Sequence, residues 1–140
     1  MTPKLLLRIA AVIMLLHAAG HTMGVYTWKD PVNPQHDAVI KSMADDSFLF
    51  MGRMGGMGKF YEGFGYAGTI AMLLSVAILW LIASEAENNP GVANKILWPV
   101  AIYLLLLGAI ELIWFFPFAA SFSLLSTALT VVAIFRLKGK

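Results

Sequence analysis

Apolar residues along the chain collect into four long runs, at about 5–23, 64–83, 96–116 and 118–136, separated by polar or glycine-rich links. A helix crossing the ~30 Å hydrocarbon core needs about 20 mostly apolar residues. All four runs reach that length and no fifth stretch does. The pattern therefore predicts an all-α membrane fold, a four-transmembrane-helix bundle forming one polytopic domain over residues 1–140. The first run follows Lys4 and Arg8, as the apolar part of a secretion signal would. It also carries two histidines, which are unusual there, so it reads as a retained first helix.

The links differ in kind. Between the second and third runs, SEAENNPGVANK is short and polar, and Asn89 before Pro90 has the form of a helix cap followed by proline at the first helical position. Helix three is thus expected to begin near residue 90, with a kink around Pro99. The link at 116–120 is a tight turn with Pro117 as breaker. The first link, about 24–63, is far longer than a hairpin needs, and loops of such length are functional or disordered. Phe48, Leu49, Phe50, Phe60, Tyr61 and Phe64 make it too apolar for disorder. It is expected to form a cap at 25–62. Asn33-Pro34 opens a short helix to about residue 43, with Ile40 and Met43 on one face. FLFMGRMGGMGKFYEGFGY then lies along the membrane surface, and Tyr26, Trp28, Tyr61 and Tyr66 sit where an aromatic belt belongs.

Composition agrees with this class. Hydrophobic residues make up 59% and charged residues 13% of the chain, with a mean hydropathy of +0.77. A soluble domain of this size cannot hide so much apolar surface. The chain has no cysteine, which excludes disulfide frameworks, thiolate metal sites, CxxC redox chemistry, CxxCH haem attachment and cysteine nucleophiles. Four spans place both ends of the chain on one side. That side carries Lys4, Arg8, Lys95, Arg136, Lys138 and Lys140 against Glu85 and Glu87, a net of +4. The other carries Lys29, Lys41, Arg53 and Lys59 against Asp30, Asp37, Asp45, Asp46 and Glu62, a net of −1. By the positive-inside rule both termini are cytoplasmic and the long link extracytoplasmic. The net charge reflects topology, and no nucleic-acid partner is inferred from it. The basic tail RLKGK reads as a positive-inside anchor near anionic lipid headgroups. The glycine-rich stretch lacks a phosphate-loop pattern after a strand.

Ionisable residues within spans point by default to function. Here they are His17, His21 and Glu111. The two histidines are four apart and share a helix face with Ala10, Met14 and Gly24. At ~1.5 Å rise per residue, His17 and His21 lie about 18 and 24 Å along helix one, and Glu111 about 22 Å along helix three. If these helices face each other, the three residues meet in one outer-leaflet layer. Gly108, one turn before Glu111, lets a neighbour pack close to the carboxylate. Helix two carries a small-residue seam of Gly65, Gly68, Ala71 and Ser75. Helix four carries a hydroxyl stripe of Ser123, Thr127 and Thr130 with Ser121 and Ser126 beside it, and Ser121 and Ser123 can bond into the same layer.

Several chemistries fit His17, His21 and Glu111. Two imidazoles and a carboxylate make a facial set for Fe(II), Zn(II) or a similar transition metal. A single histidine can ligate a haem-like tetrapyrrole, although an i, i+4 pair cannot clamp both faces of one haem. A His–Glu pair can share a proton beside a quinone or a lipid headgroup. The bland reading is a hydrogen-bonded tie between helices. A second constellation, Met51, Met54 and Met57, with Met23, His36 and Met43 nearby, offers soft thioether ligands for Cu(I). Flexible packing explains the same methionines, and Arg53 and Lys59 beside them disfavour a cation.

The segments HAAGHTMG…YTWK, AVIKSM, FMG and FYEGFG resemble a family of uncharacterised bacterial four-helix membrane proteins with LHxxGHTxG-like and FYxGFG-like signatures. The resemblance covers about residues 5–83. It singles out His17, Gly20, His21, Thr22, Gly24, Trp28, Phe50, Met51, Gly52, Phe60, Tyr61, Gly63, Phe64 and Gly65, and implies a bacterial inner-membrane location without a reaction. Small four-helix proteins of the DoxX type, linked to quinone-related redox systems, are similar in shape only. The expectation is a bundle holding a metal, a tetrapyrrole or an apolar redox ligand at His17, His21 and Glu111, with membrane lipids as partners. A homo-oligomer is one assembly in keeping with this. The alternative is a non-catalytic accessory subunit of a larger membrane complex. Four spans without an inverted repeat make transport a weaker idea.

Overall fold

The computed structural model describes residues 1–138; Gly139 and Lys140 of the basic tail lie outside them. In chain order the elements are α1 (Pro3–Thr27), α2 (Pro34–Asp45), β1 (Phe48–Phe50), β2 (Arg53–Gly55), α3 (Met57–Glu85), α4 (Pro90–Trp114) and α5 (Pro117–Lys138). Four of these helices, α1, α3, α4 and α5, are long and apolar enough to cross a membrane. The chain is thus an all-α, four-span, multi-pass membrane protein. By contacts the chain divides into two compact units. One contains Met1–Ala18 and the chain from Met72 onward, the other Ala19–Ala71.

The first unit is built from the start of α1, the end of α3, and the whole of α4 and α5. Leu7, Met14, Leu79, Leu97, Leu104 and Ile134 are fully buried in it, among many alanines including Ala10, Ala11, Ala83, Ala101 and Ala133. Between helices in lipid there is no hydrophobic driving force, and close backbone approach over small residues supplies dispersion contact instead. Two polar ties add to it: Ser126 Oγ donates to the Ala10 carbonyl at 3.3 Å, and the Arg8 guanidinium lies 5.2 Å over the Trp80 ring. At the start of α4, Pro90 occupies the first turn as the sequence predicts, but the Asn89 side chain makes no capping hydrogen bond. Pro99 lies inside the helix. The break before α5 falls at Phe115 and Phe116, ahead of Pro117.

In the second unit, Asn33 caps α2 by accepting from the His36 amide at 2.8 Å, and Ile40 is the buried residue of that helix. Lys41 pairs with Asp37 one turn earlier at 2.7 Å, and that hydrogen bond holds its ammonium above the usual lysine value. The segment FLFMGRMGGMGKFYEGFGY, expected to lie along the membrane surface, folds as a β-hairpin and then enters α3. Phe48 pairs with Gly55, Leu49 with Met54 and Phe50 with Arg53. The two-residue turn, Met51 (φ 49°) and Gly52 (φ 81°), has the positive φ pair that matches the right-handed twist of the strands. Replacing Gly52 with alanine should cost about 1 kcal/mol. Met51→Asn should act in the opposite direction, because asparagine tolerates this conformation. Thermal unfolding in detergent should show the two midpoints moving to opposite sides of wild type.

Helix α3 begins at Met57, about two turns before the expected residue 64. Its early glycines are contact points. Added Cβ atoms would meet the Trp28 ring at 3.2 Å from Gly58, Val25 Cγ2 at 2.5 Å from Gly65 and His21 Nε2 at 3.1 Å from Gly68. The belt aromatics pair up, with Trp28 and Tyr61 centroids 5.0 Å apart and Tyr26 and Tyr66 6.0 Å apart. Glu62 accepts from Trp28 Nε1 at 3.3 Å and pairs with Lys29 Nζ at 2.5 Å. These contacts tie the end of α1 to the first turns of α3.

Candidate functional site

Three helices of the first unit deliver one polar side chain each to a common point. On α1, His17 follows the buried Ala10 and Met14 on the same inward face and is itself only 7% exposed. On α4, Glu111 is 5% exposed. It follows Gly108, where an added Cβ would stand 2.7 Å from Leu124 Cδ2 and 3.3 Å from Ser123 Cβ. The missing side chain brings α5 close enough to place Ser123, fully buried, at the site.

His17 Nε2 lies 3.1 Å from Glu111 Oε1, and His17 Nδ1 lies 3.3 Å from Ser123 Oγ. Phe122 covers the imidazole, with ring centroids 5.5 Å apart, and Phe118 packs edge-on against Phe122 at 5.2 Å. The other carboxylate oxygen, Glu111 Oε2, is buried without a hydrogen-bond partner among the described residues. The rest of the hydroxyl stripe turns inward on its own helix. Thr127 donates to the Ser123 carbonyl and Thr130 to the Ser126 carbonyl, each at 2.8 Å. This is the back-bonding expected of hydroxyls within helices. Ser121 is exposed and donates to the Phe118 carbonyl, so Ser123 alone of the two reaches His17.

Of the three residues singled out from sequence, the structure brings His17 and Glu111 together and gives His21 a partner in the second unit. His21 Nε2 donates to the Gly65 carbonyl at 3.0 Å, and one residue on, Thr22 and Thr69 share a hydroxyl hydrogen bond at 3.1 Å. Of the small residues on this side of α1, Ala10 and Ala18 are buried, whereas Gly20 and Gly24 have nothing within 4 Å of an added Cβ. The close approach is made on the α3 side, at Gly65 and Gly68. Among the described residues no group of three or more His, Asp or Glu side chains is placed to hold a metal ion. Met51, Met54 and Met57 are 90%, 62% and 52% exposed. They ring the hairpin and the start of α3 without a buried, enclosed thioether set.

The His17 ring joins the Glu111 carboxylate on one side to the Ser123 hydroxyl on the other. A lone carboxylate is expensive in a dry, low-dielectric interior. One extra proton on the pair makes it neutral, either as imidazolium with carboxylate or as imidazole with carboxylic acid. In both neutral forms Nδ1–H donates to Ser123 Oγ. When the proton leaves, Nε2–H donates to Glu111 and the Ser123 hydroxyl turns to donate to Nδ1. A rotating hydroxyl thus satisfies the ring in either state. Comparison with protein-family models, curated proteins and solved structures found no match for this chain.

Proposed function

We propose that the protein is a small multi-pass component of a bacterial cytoplasmic membrane, with both termini inside. In this reading its His17–Glu111–Ser123 chain is a proton-holding site in the outer half of the bilayer, serving an apolar redox ligand of the quinone type. The observation that carries the reading is Glu111. One oxygen is held by His17 and the other, Oε2, is buried with its lone pairs unmet. An unmet buried acceptor costs about 1–3 kcal/mol, and a ligand hydroxyl at Oε2 would remove that cost. Both ring nitrogens of His17 are engaged, which favours proton exchange over ligation of a metal or tetrapyrrole by this residue.

Infrared difference spectra of the protein in lipid nanodiscs test this on addition of a short-chain quinol. Carboxyl and imidazole bands should shift in wild type and stay fixed in Glu111→Gln. Identical spectra with and without quinol would sink the proposal. Purification from native membranes addresses the other reading. A stable heteromeric complex, with no quinol response, would identify an accessory subunit instead.

A further inference from the structure

The second unit carries a groove of about 630 Å³ between the hairpin and the first turns of α3. Its walls are Phe50, Met54, Phe60 and Phe64, and Arg53 and Lys59 stand at its edge. The aromatic wall is preassembled. Phe48 stacks on Phe60 at 5.8 Å with their planes 4° apart, and Phe50 meets the same ring edge-on at 6.2 Å. Phe64 is nonetheless 75% exposed and Met54 62%, so the trough faces outward. Arg53 and Lys59 are exposed, and neither side chain forms an ion pair or hydrogen bond among the described residues. The nearby carboxylate of Glu62 is taken by Lys29.

Two free cations at the head of an apolar trough match one class of molecule, an anionic amphiphile. The helix supplies the scale. Phe64 and Ala67 lie about 7 and 12 Å beyond Lys59 along α3, which is the direction from a phosphate layer into acyl chains as the helix enters its apolar stretch. We propose that this groove seats an anionic membrane lipid. Arg53 and Lys59 bind its phosphate headgroup, and one acyl chain lies against Phe50, Phe60 and Phe64. The occupant is drawn from the leaflet at that end of α3, whichever face of the membrane it is, so the inference stands apart from the proton site. Its part is to fix the hairpin and the entrance of α3 at the headgroup level.

Native mass spectrometry of the full chain released from nanodiscs of equal phosphatidylcholine and phosphatidylglycerol provides the test. Wild type should retain phosphatidylglycerol preferentially. Arg53→Gln with Lys59→Gln should weaken that retention about thirtyfold, at roughly the surface attraction expected for two basic residues. Gly63→Leu should also displace the lipid with both charges intact. An added Cβ there meets nothing within 4 Å and leucine is the better helix former, so helicity and melting should not fall below the wild-type level. Equal retention of the two lipids by wild type, or unchanged phosphatidylglycerol in either variant, would overturn the proposal. Displacement of the lipid by millimolar inorganic phosphate alone would overturn it too, since recognition would then need no acyl chain. So would a co-purifying protein that is lost in Gly63→Leu while no lipid is bound.

Discussion

Replacing His17 with leucine is expected to destabilise the first unit by about 3 kcal/mol, the lower end of the range for removing one member of a buried charged pair. The variant keeps volume on a face where Ala10 and Met14 are wholly buried, so a cavity is not the main term. What it removes is the His17 partner of Glu111 Oε1, beside an Oε2 that has no partner among the described residues. The carboxyl group is then buried without a donor among the described residues, which is the source of the loss. Unfolding in mixed micelles should show it. The double variant His17→Leu/Glu111→Leu should recover most of the stability, since replacing both partners by apolar groups is close to neutral. Ser123 would be left without His17, but its hydroxyl can turn to a carbonyl of its own helix. A single variant within about 0.5 kcal/mol of wild type would show that the pair is not energetically coupled.

In the second unit a large effect is expected at Gly65. An alanine Cβ there would stand 2.5 Å from Val25 Cγ2 and 3.1 Å from its Cγ1. Valine is stiff about χ1 and cannot swing aside, so α1 and α3 must part locally. Overpacking of this kind costs about 1–3 kcal/mol. It also lengthens the hydrogen bond from His21 Nε2 to the Gly65 carbonyl, now 3.0 Å, so the His21 nitrogen resonance should move with the loss of stability. Val25→Ala in the same chain should restore both. Gly20→Ala is the control. Nothing lies within 4 Å of its Cβ, and the better helix former should leave stability equal or raise it by about 0.5 kcal/mol. Equal losses at Gly65 and Gly20 would show that helix propensity, and not the close contact, governs this region.

The four spans were legible because length and hydropathy are local properties, and the helices that appear are those the runs predicted. The ends were less legible. Residues 57–63 look glycine-rich and loop-like, yet they are helical, because Trp28, Val25 and His21 fill the space that side chains would have taken at Gly58, Gly65 and Gly68. The hairpin was missed for a similar reason. Its turn residues, Met51 and Gly52, carry no asparagine or aspartate, so the turn signal is weak although the geometry is regular. By depth His17, His21 and Glu111 share one layer with Ser121 and Ser123 in reach, and of these His17, Glu111 and Ser123 meet.

Depth along a helix, however, does not fix rotation about it or the nearest partner. His21 lies one turn from His17 on the same helix, and its hydrogen bond goes to a glycine carbonyl. By itself the sequence determined a chain too apolar for water, four spans, a charge asymmetry between their ends, and His17, His21 and Glu111 deep within the apolar runs. Each of these follows from composition and from the rise of a helix. Only the tertiary structure decided which of those residues meet, that one carboxylate oxygen is left unmet, and that a hairpin and the first turns of α3 enclose a groove with two free cations. Those outcomes depend on which small residues let which helices approach, and close approach is a property of pairs of surfaces that no single stretch of chain encodes.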